Sequence, residues 1–457
     1  MKIINSVSCL FRATLIATAL HVFIGTAYAD EKPVAAHPVQ TLFANVRVFD
    51  GIDSKLSNVT NVLVKGNKIT TISSAAIVAT PEMTVIDGKG RTLMPGLIDM
   101  HTHMMFAAVP ESAALVADIG YLNVLAVKSA GDMLLRGFTS EREAGGPVFG
   151  LKRAIDSGIV PGPRIWPSGA FVSQSGGHGD DRLPSEFPVP PNSYSAFERN
   201  GLSIIADNPD EVRKRVRENL ALGASQIKML AGGGVASNYD PLDVTEFTVE
   251  ELRAGVQAAE NWGTYVMVHA YTPRAVRQAI EAGVKCIEHG QLLDDATAKL
   301  MAEKGIWWDL QPFLDDEDAI YFAPGTINRQ KYIELTAGTD NAYKLAKKYH
   351  VKTAFGTDTL FDPKLADKQG KQLAKLTRWY TPAEVLKMAT SDNASLLALS
   401  GNRNPYPGKL GVVQEGALAD LLLVDGDPIE NIKLIEDPHK NFLVIMKDGH
   451  VVKNITR

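Results

Sequence analysis

Two textures alternate along the chain, and the change between them predicts its architecture. Residues 38–93 carry short segments in which apolar and polar positions alternate, TLFANVRVFDG, NVLVKGNKITTIS and MTVIDGKGRTL, broken by Gly, Asn and Asp turns. A period of two is that of half-buried antiparallel strands. The texture returns late in the chain in GVVQEGA, ADLLLVDGD and NFLVIMKDGHVVKN, so one β-rich domain is predicted from two distant segments. Between them, apolar runs of five to eight residues alternate with segments of helical period, the pattern of βα units on a parallel sheet. Helix starts are marked by Asn208-Pro209, by Thr248 with Glu251 as a capping box, and by Thr272-Pro273.

The candidate parallel strands are GLIDMHTH (96–103), GFTSERE (137–143), RIWPSG (164–169), SQIKML (225–230), TYVMVHA (264–270), KCIEHG (285–290), IWWDLQP (306–312) and KTAFGTD (352–358). Eight such strands predict an α/β fold, a closed (β/α)₈ TIM barrel with its active site at the strand C-terminal ends. The expected domains are a β-sandwich from 30–94 and 406–457 and a barrel from 95–405. Residues 1–29 read as a cleaved signal peptide: Lys2 and Arg12 precede an apolar run from Ala13 to Gly25, followed by Ala27-Tyr28-Ala29. Thirteen residues are too few to span about 30 Å of hydrocarbon, so the mature protein is expected to be periplasmic or secreted and free of the membrane.

Composition narrows the partners. Removing the leader leaves 45 basic against 52 acidic residues, net −7, which argues against nucleic acid, other polyanions and anionic membranes as partners; a small-molecule substrate is expected from the chemistry below. Cys286 is then the single thiol, so no internal disulfide is available. A homo-oligomer is expected.

The chemistry gathers at the strand ends. The first strand ends in His101 and His103, the fourth carries Lys228, the fifth and sixth end at His269 and His289, and the eighth at Asp358. Intervals of 125, 41, 20 and 69 residues from His103 to Asp358 match three, one, one and two units of roughly 30 residues plus insertions, so the six converge on one mouth. His101 and His103 share a face of their strand. Four imidazoles and a carboxylate suit borderline divalent metals, Zn²⁺ first. An ammonium among cations would be repelled, so Lys228 is either deprotonated or carbamylated by CO₂.

PGLIDMHTH, QIKML with the following AGGG, VMVHAY, IEHG, FGTD and the late GALADLLLVDGDP together resemble the amidohydrolase superfamily, metal-dependent hydrolases with a (β/α)₈ barrel and a split β-sandwich. SGGHGD (175–180), IKML and HAY most resemble its exported prolidase-like dipeptidases, also called Xaa-Pro dipeptidase or imidazolonepropionase-like, and relatives that cleave ochratoxin. The resemblance implies two divalent ions, zinc by expectation, held by His101, His103, Lys228, His269, His289 and Asp358, with Lys228 N6-carboxylated as the bridge. Asp358 is then the general acid and base for attack of metal-bridging hydroxide on an amide.

His178, in the Gly-rich SGGHGD loop, and Tyr271, two residues beyond His269, should face the same mouth. By position alone they read as a loop residue and a packing residue. The resemblance gives His178 the scissile carbonyl and Tyr271 the terminal carboxylate of a dipeptide or N-acyl amino acid. The subgroup pattern GFTTVRD stands here as GFTSERE, placing Glu141 and Glu143 where side-chain recognition is in question. Rival readings are an ochratoxin-type amidase, a lactam or cyclic imide hydrolase, a deaminase of the same superfamily, and an inactive binding barrel. A deaminase would lack Lys228 and carry a glutamate shortly after the fifth-strand histidine, where this chain has Ala270, Tyr271 and Thr272.

Overall fold

A computed structural model describes residues 39–456 apart from 115, 189–192 and 238. The leader at 1–29 and the first residues of the expected sandwich segment lie outside the described residues. Among those described, no helix is long and apolar enough to cross a membrane.

The alternating segments form an eight-stranded sheet. Its first strand, Gln40–Val48, serves both layers: its early residues pair with Thr60–Lys65 and Met83–Asp87, while Arg47 and Val48 pair with Thr92–Pro95. The ladder shifts register between Phe43 and Val46, with Asn45 left-handed at φ 53°. A bulge of this kind bends a strand from one sheet layer to the next. The late strand Leu421–Val424 then pairs with Thr92–Pro95. Alternation divides its side chains between two cores: Leu421 and Leu423 pack with Phe43, Val62 and Val444, whereas Leu422 and Val424 join the barrel core. Gly96 alone separates Pro95 from the first barrel strand, and a Cβ there would meet Thr139 Oγ1 at 2.1 Å.

All eight predicted barrel strands form: Leu97–Thr102, Phe138–Glu143, Arg164–Trp166, Ile227–Leu230, Val266–Ala270, Cys286–His289, Trp307–Leu310 and Thr353–Phe355. The third departs from expectation. It pairs with the second strand and stops at Pro167, which has no N–H to donate. Beyond a bend the chain resumes as Phe171–Ser173, which pairs with the fourth strand and with Ser203–Ile205. One barrel position is thus filled by two short strands, and the gap is spanned by Gln226 Nε2 donating to the carbonyls of Trp166 at 2.8 Å and Glu143 at 3.2 Å. At the seam between the eighth and first strands, Asn393 Nδ2 donates to Ile98 O and Phe355 O at 2.8 and 2.9 Å. Buried side-chain amides therefore satisfy backbone groups that a regular ladder would have paired. The predicted helix caps at Asn208, Thr248 and Thr272 all accept hydrogen bonds from their first turns.

Candidate metal centre

His101 and His103 face the barrel interior because the first strand is irregular. Asp99 pairs with Glu141 and Thr102 with Glu143, so two residues on the first strand oppose Arg142 alone on the second. A one-residue insertion exchanges the faces of all that follows. Ile98 and Met100 pack inward before it; after it Thr102 points outward and both histidines inward. In the sixth strand Cys286 and Glu288 face inward, and His289 follows them to the mouth at φ 74°. Asp358 is left-handed too, at φ 49°. Such conformations cost about 1–3 kcal/mol at a non-glycine residue and are retained where the surroundings enforce them.

The six residues meet at the base of one cavity. Asp358 Oδ1 lies 3.3 Å from His101 Nε2 and 3.2 Å from His103 Nε2, with Lys228 Nζ 3.4 Å from His101 Nε2. His289 is 3.8 Å from the second Asp358 oxygen, and the His269 ring lies 4.5 Å from that of His289. Gly356 permits the approach: a Cβ there would stand 2.4 Å from His101 Cβ.

Burial and the neighbouring Lys228 amine lower the His101 pKa to about 4, and burial with adjacent histidines holds those of His269 and His289 well below the ordinary value. All three are neutral. Burial also lowers the Lys228 ammonium below its ordinary value, although Glu288 and Asp358 oppose the shift. For Asp358 burial works upward, but the facing imidazoles outweigh it and keep the carboxylate ionised. Neutral imidazoles beside a carboxylate are the protonation states that bind a metal. The ring nitrogens are sorted as well. Nδ1 of His101, His103 and His289 lies 2.7 Å from Glu288, 3.1 Å from Gly145 O and 2.7 Å from Gln311, while His269 Nε2 lies 3.1 Å from Gly233 O. These acceptors leave Nε2 of three rings and Nδ1 of His269 as possible ligand atoms, and His101, His289 and Asp358 already form a compact donor set.

Beneath the cluster lies a charged network absent from the strand-end inventory. Arg142 is fully buried and donates to both oxygens of Glu288 at 2.8 Å, to Asp309 at 3.0 Å and to Met100 O at 2.7 Å. Arg142 holds Glu288 ionised against burial, whereas burial and the nearby Glu288 charge keep the Asp309 carboxyl protonated. One cation and one anion thus balance inside the barrel. Glu288 immediately precedes His289, and Arg142 is the basic residue within the second strand, so the signal lay in motifs already noted.

Glu141 and Glu143 stand on the opposite face of that strand. Both lie beside the Thr102 hydroxyl, and Glu143 accepts from Met104 N. Neither lines the cavity. Burial raises both carboxyls, that of Glu143 to about 8, so the departure from GFTTVRD alters the packing behind His103 rather than the mouth.

His178 and Tyr271 both line the cavity, and their rings lie against His269 at 4.0 and 4.7 Å. The cavity, of about 540 Å³, is walled largely by apolar and aromatic groups, among them Phe171, Phe197, Phe313 and Phe322. Among the described residues its lining contains no arginine, and Lys228 is its only lysine.

The model of the amidohydrolase family matches residues 92–453. Ochratoxinase of Aspergillus niger is 31% identical over 376 residues, 79% of this chain and 75% of that protein. The crystal structure of an amidohydrolase superposes with a TM-score of 0.83 at 36% identity, covering 92% of this chain and 100% of the other. That of a prolidase complexed with N-methylphosphonate-L-proline gives a TM-score of 0.83 at 33% identity, over 91% of this chain and 100% of the other.

Arg142→Met should destabilise the fold by about 3–5 kcal/mol in urea titrations, because Glu288 is left buried and unpaired. Adding Glu288→Gln should recover part of the loss; additive losses would contradict the balance described. A second expectation concerns pH. The folded pKa of Glu143 is raised to about 8 from 4.5, so its contribution is fully present below the unfolded value and lost as pH rises through the folded one. Glu143→Gln should therefore flatten the decline of the urea midpoint between about pH 4.5 and about pH 8; parallel profiles would refute it.

Proposed function

The chain belongs to the amidohydrolase family and is a hydrolytic enzyme acting on carbon–nitrogen bonds, and on that premise we propose that it cleaves the amide of dipeptides or N-acyl amino acids bearing a free C-terminal carboxylate. The observation that carries the reading is the Lys228 amine 3.4 Å from His101 Nε2 inside a cluster of imidazoles and a carboxylate. The family is generally metal-dependent, and these donors suit it. An amine whose pKa is lowered by burial can add to CO₂, and the carbamate would offer two oxygens to two divalent ions. Zinc is the first candidate, given the imidazole and carboxylate donors. Bound there, the ions supply Lewis acidity toward the carbonyl and a water nucleophile of lowered pKa.

The chain's own residues do the rest. Asp358, held ionised at the mouth, accepts a proton as the water oxygen bonds to the carbonyl carbon. It returns that proton to the nitrogen as the C–N bond breaks, releasing an acid and an amine. His178 donates to the carbonyl oxygen as charge develops there. Burial pushes the Tyr271 phenol well above its ordinary pKa, so it stays protonated and donates to the substrate carboxylate. The apolar walls favour a bulky acyl group, which keeps an ochratoxin-type amide as the second reading. The leader pattern in residues 1–29 supports export.

With zinc-loaded enzyme, N-benzoyl-L-phenylalanine and apolar dipeptides should be hydrolysed and their C-terminal amides should not; equal rates on acid and amide would redirect the assignment to lactams and cyclic imides. Tyr271→Phe should raise KM more than it lowers kcat, the mark of an interaction made alike in ground and transition states. Asp358→Asn should retain substantial metal while kcat falls by about 10²–10⁴, and an unchanged kcat would remove it from proton transfer.

A further inference from the structure

The loop after the fourth strand carries an acid that the mechanism leaves unused. Asp240 is 2% exposed, and its Oδ2 lies 3.4 Å from His178 Nδ1 while accepting a hydrogen bond from Gly234 N. Neither its other oxygen nor His178 Nδ1 has a hydrogen-bond partner among the described residues, so Asp240 and His178 face each other as an unshared pair in close contact.

The surroundings leave this pair little freedom. A Cβ on Gly234 would stand 1.9 Å from His178 Cε1, so the imidazole rests directly on the loop backbone, with its other face stacked on His269 at 4.0 Å. The backbone N of His178 donates to Glu246 at 2.8 Å. The loop itself is gripped from the long helix Ile327–Tyr349: the buried Lys331 Nζ donates to the carbonyls of Gly234, Ser237 and Asp240 at 3.0, 3.3 and 2.6 Å, and Asn328 donates to Val235 O at 2.7 Å. A buried ammonium satisfied by three carbonyls of one short loop is a rigid support.

We propose that Asp240 is a positioning residue for His178: it engages Nδ1, sets the ring's rotation and leaves Nε2 to address the substrate carbonyl in the cavity. The proposal rests on the amide-hydrolase reading above and on its role for His178. An imidazole with one nitrogen set against a carboxylate has a fixed orientation, and a donor must be held in place to act on charge that develops only in the transition state. Asp240 touches no substrate in this account.

The test uses the full zinc-loaded enzyme with N-benzoyl-L-phenylalanine, together with long-range ¹H–¹⁵N spectra of histidine-labelled protein in which His178→Asn assigns the His178 signal. Asp240→Ala should move the His178 Nδ1 resonance from its wild-type position. Asp240→Ala should lower kcat by about 10–100-fold with KM changed less than about threefold, less than the roughly 10²–10³-fold cost of removing a transition-state donor outright. Asp240→Asn, whose amide oxygen can occupy the same place, should restore most of the rate. In a His178→Asn background, Asp240→Ala should cost almost nothing further in kcat, with metal content unchanged. A loss that persists at full size in that background, or a His178 Nδ1 resonance that Asp240→Ala leaves unmoved, would overturn the proposal. An unchanged rate for His178→Asn would instead sink the role of His178 itself, and turnover confined to other substrate classes would sink the functional reading while the spectra still decide the orientation.

Discussion

The contact on which the site depends is the buried pair of Arg142 and Glu288, whose carboxylate lies 2.7 Å from His101 Nδ1. A charge inside the barrel would be costly by itself, and here each partner removes the reason for the other's cost. The consequence is geometric as well as electrostatic. Glu288 engages one nitrogen of His101, and the other turns toward Asp358 and Lys228. Burial above it keeps His101, His269 and His289 neutral beside an ionised Asp358.

Three backbone irregularities deliver the side chains to that network. The first strand has its extra residue before His101, while His289 and Asp358 adopt left-handed conformations at the ends of the sixth and eighth strands. Each departs from regular strand geometry where a site residue must face the mouth. The barrel wall shows the same economy: Gln226 and Asn393 close the two seams with side-chain amides, so the strands need not be uniform for the backbone to be satisfied.

Much of this was legible beforehand. Eight apolar runs separated by capped helices specify a barrel, and a polar residue closing an apolar strand marks the mouth, so the six cluster residues could be named from spacing. The broken third strand was not visible, because Pro167 permits several continuations and short pieces such as Phe171–Ser173 carry too little pattern. Glu141 and Glu143 were legible as unusual but not as outward-facing, since strand parity depends on a bulge that no residue type announces. Arg142, Glu288 and Asp240 act through other side chains, and such partners are set by tertiary proximity alone. His178 and Tyr271 needed the family resemblance to be singled out, since a glycine-rich loop and a buried tyrosine are common in any fold.

The central claim is that this cluster is a metal centre, and X-ray absorption at the metal edge of the purified protein tests it most directly. The account predicts a first shell of nitrogen and oxygen at about 2.0–2.2 Å without sulfur, and a second metal scatterer at about 3.5–4 Å that disappears in Lys228→Ala. A protein that hydrolyses its amide substrate at full rate with no bound metal, or whose metal keeps the same shell after both His101 and His289 are replaced by alanine, would contradict it.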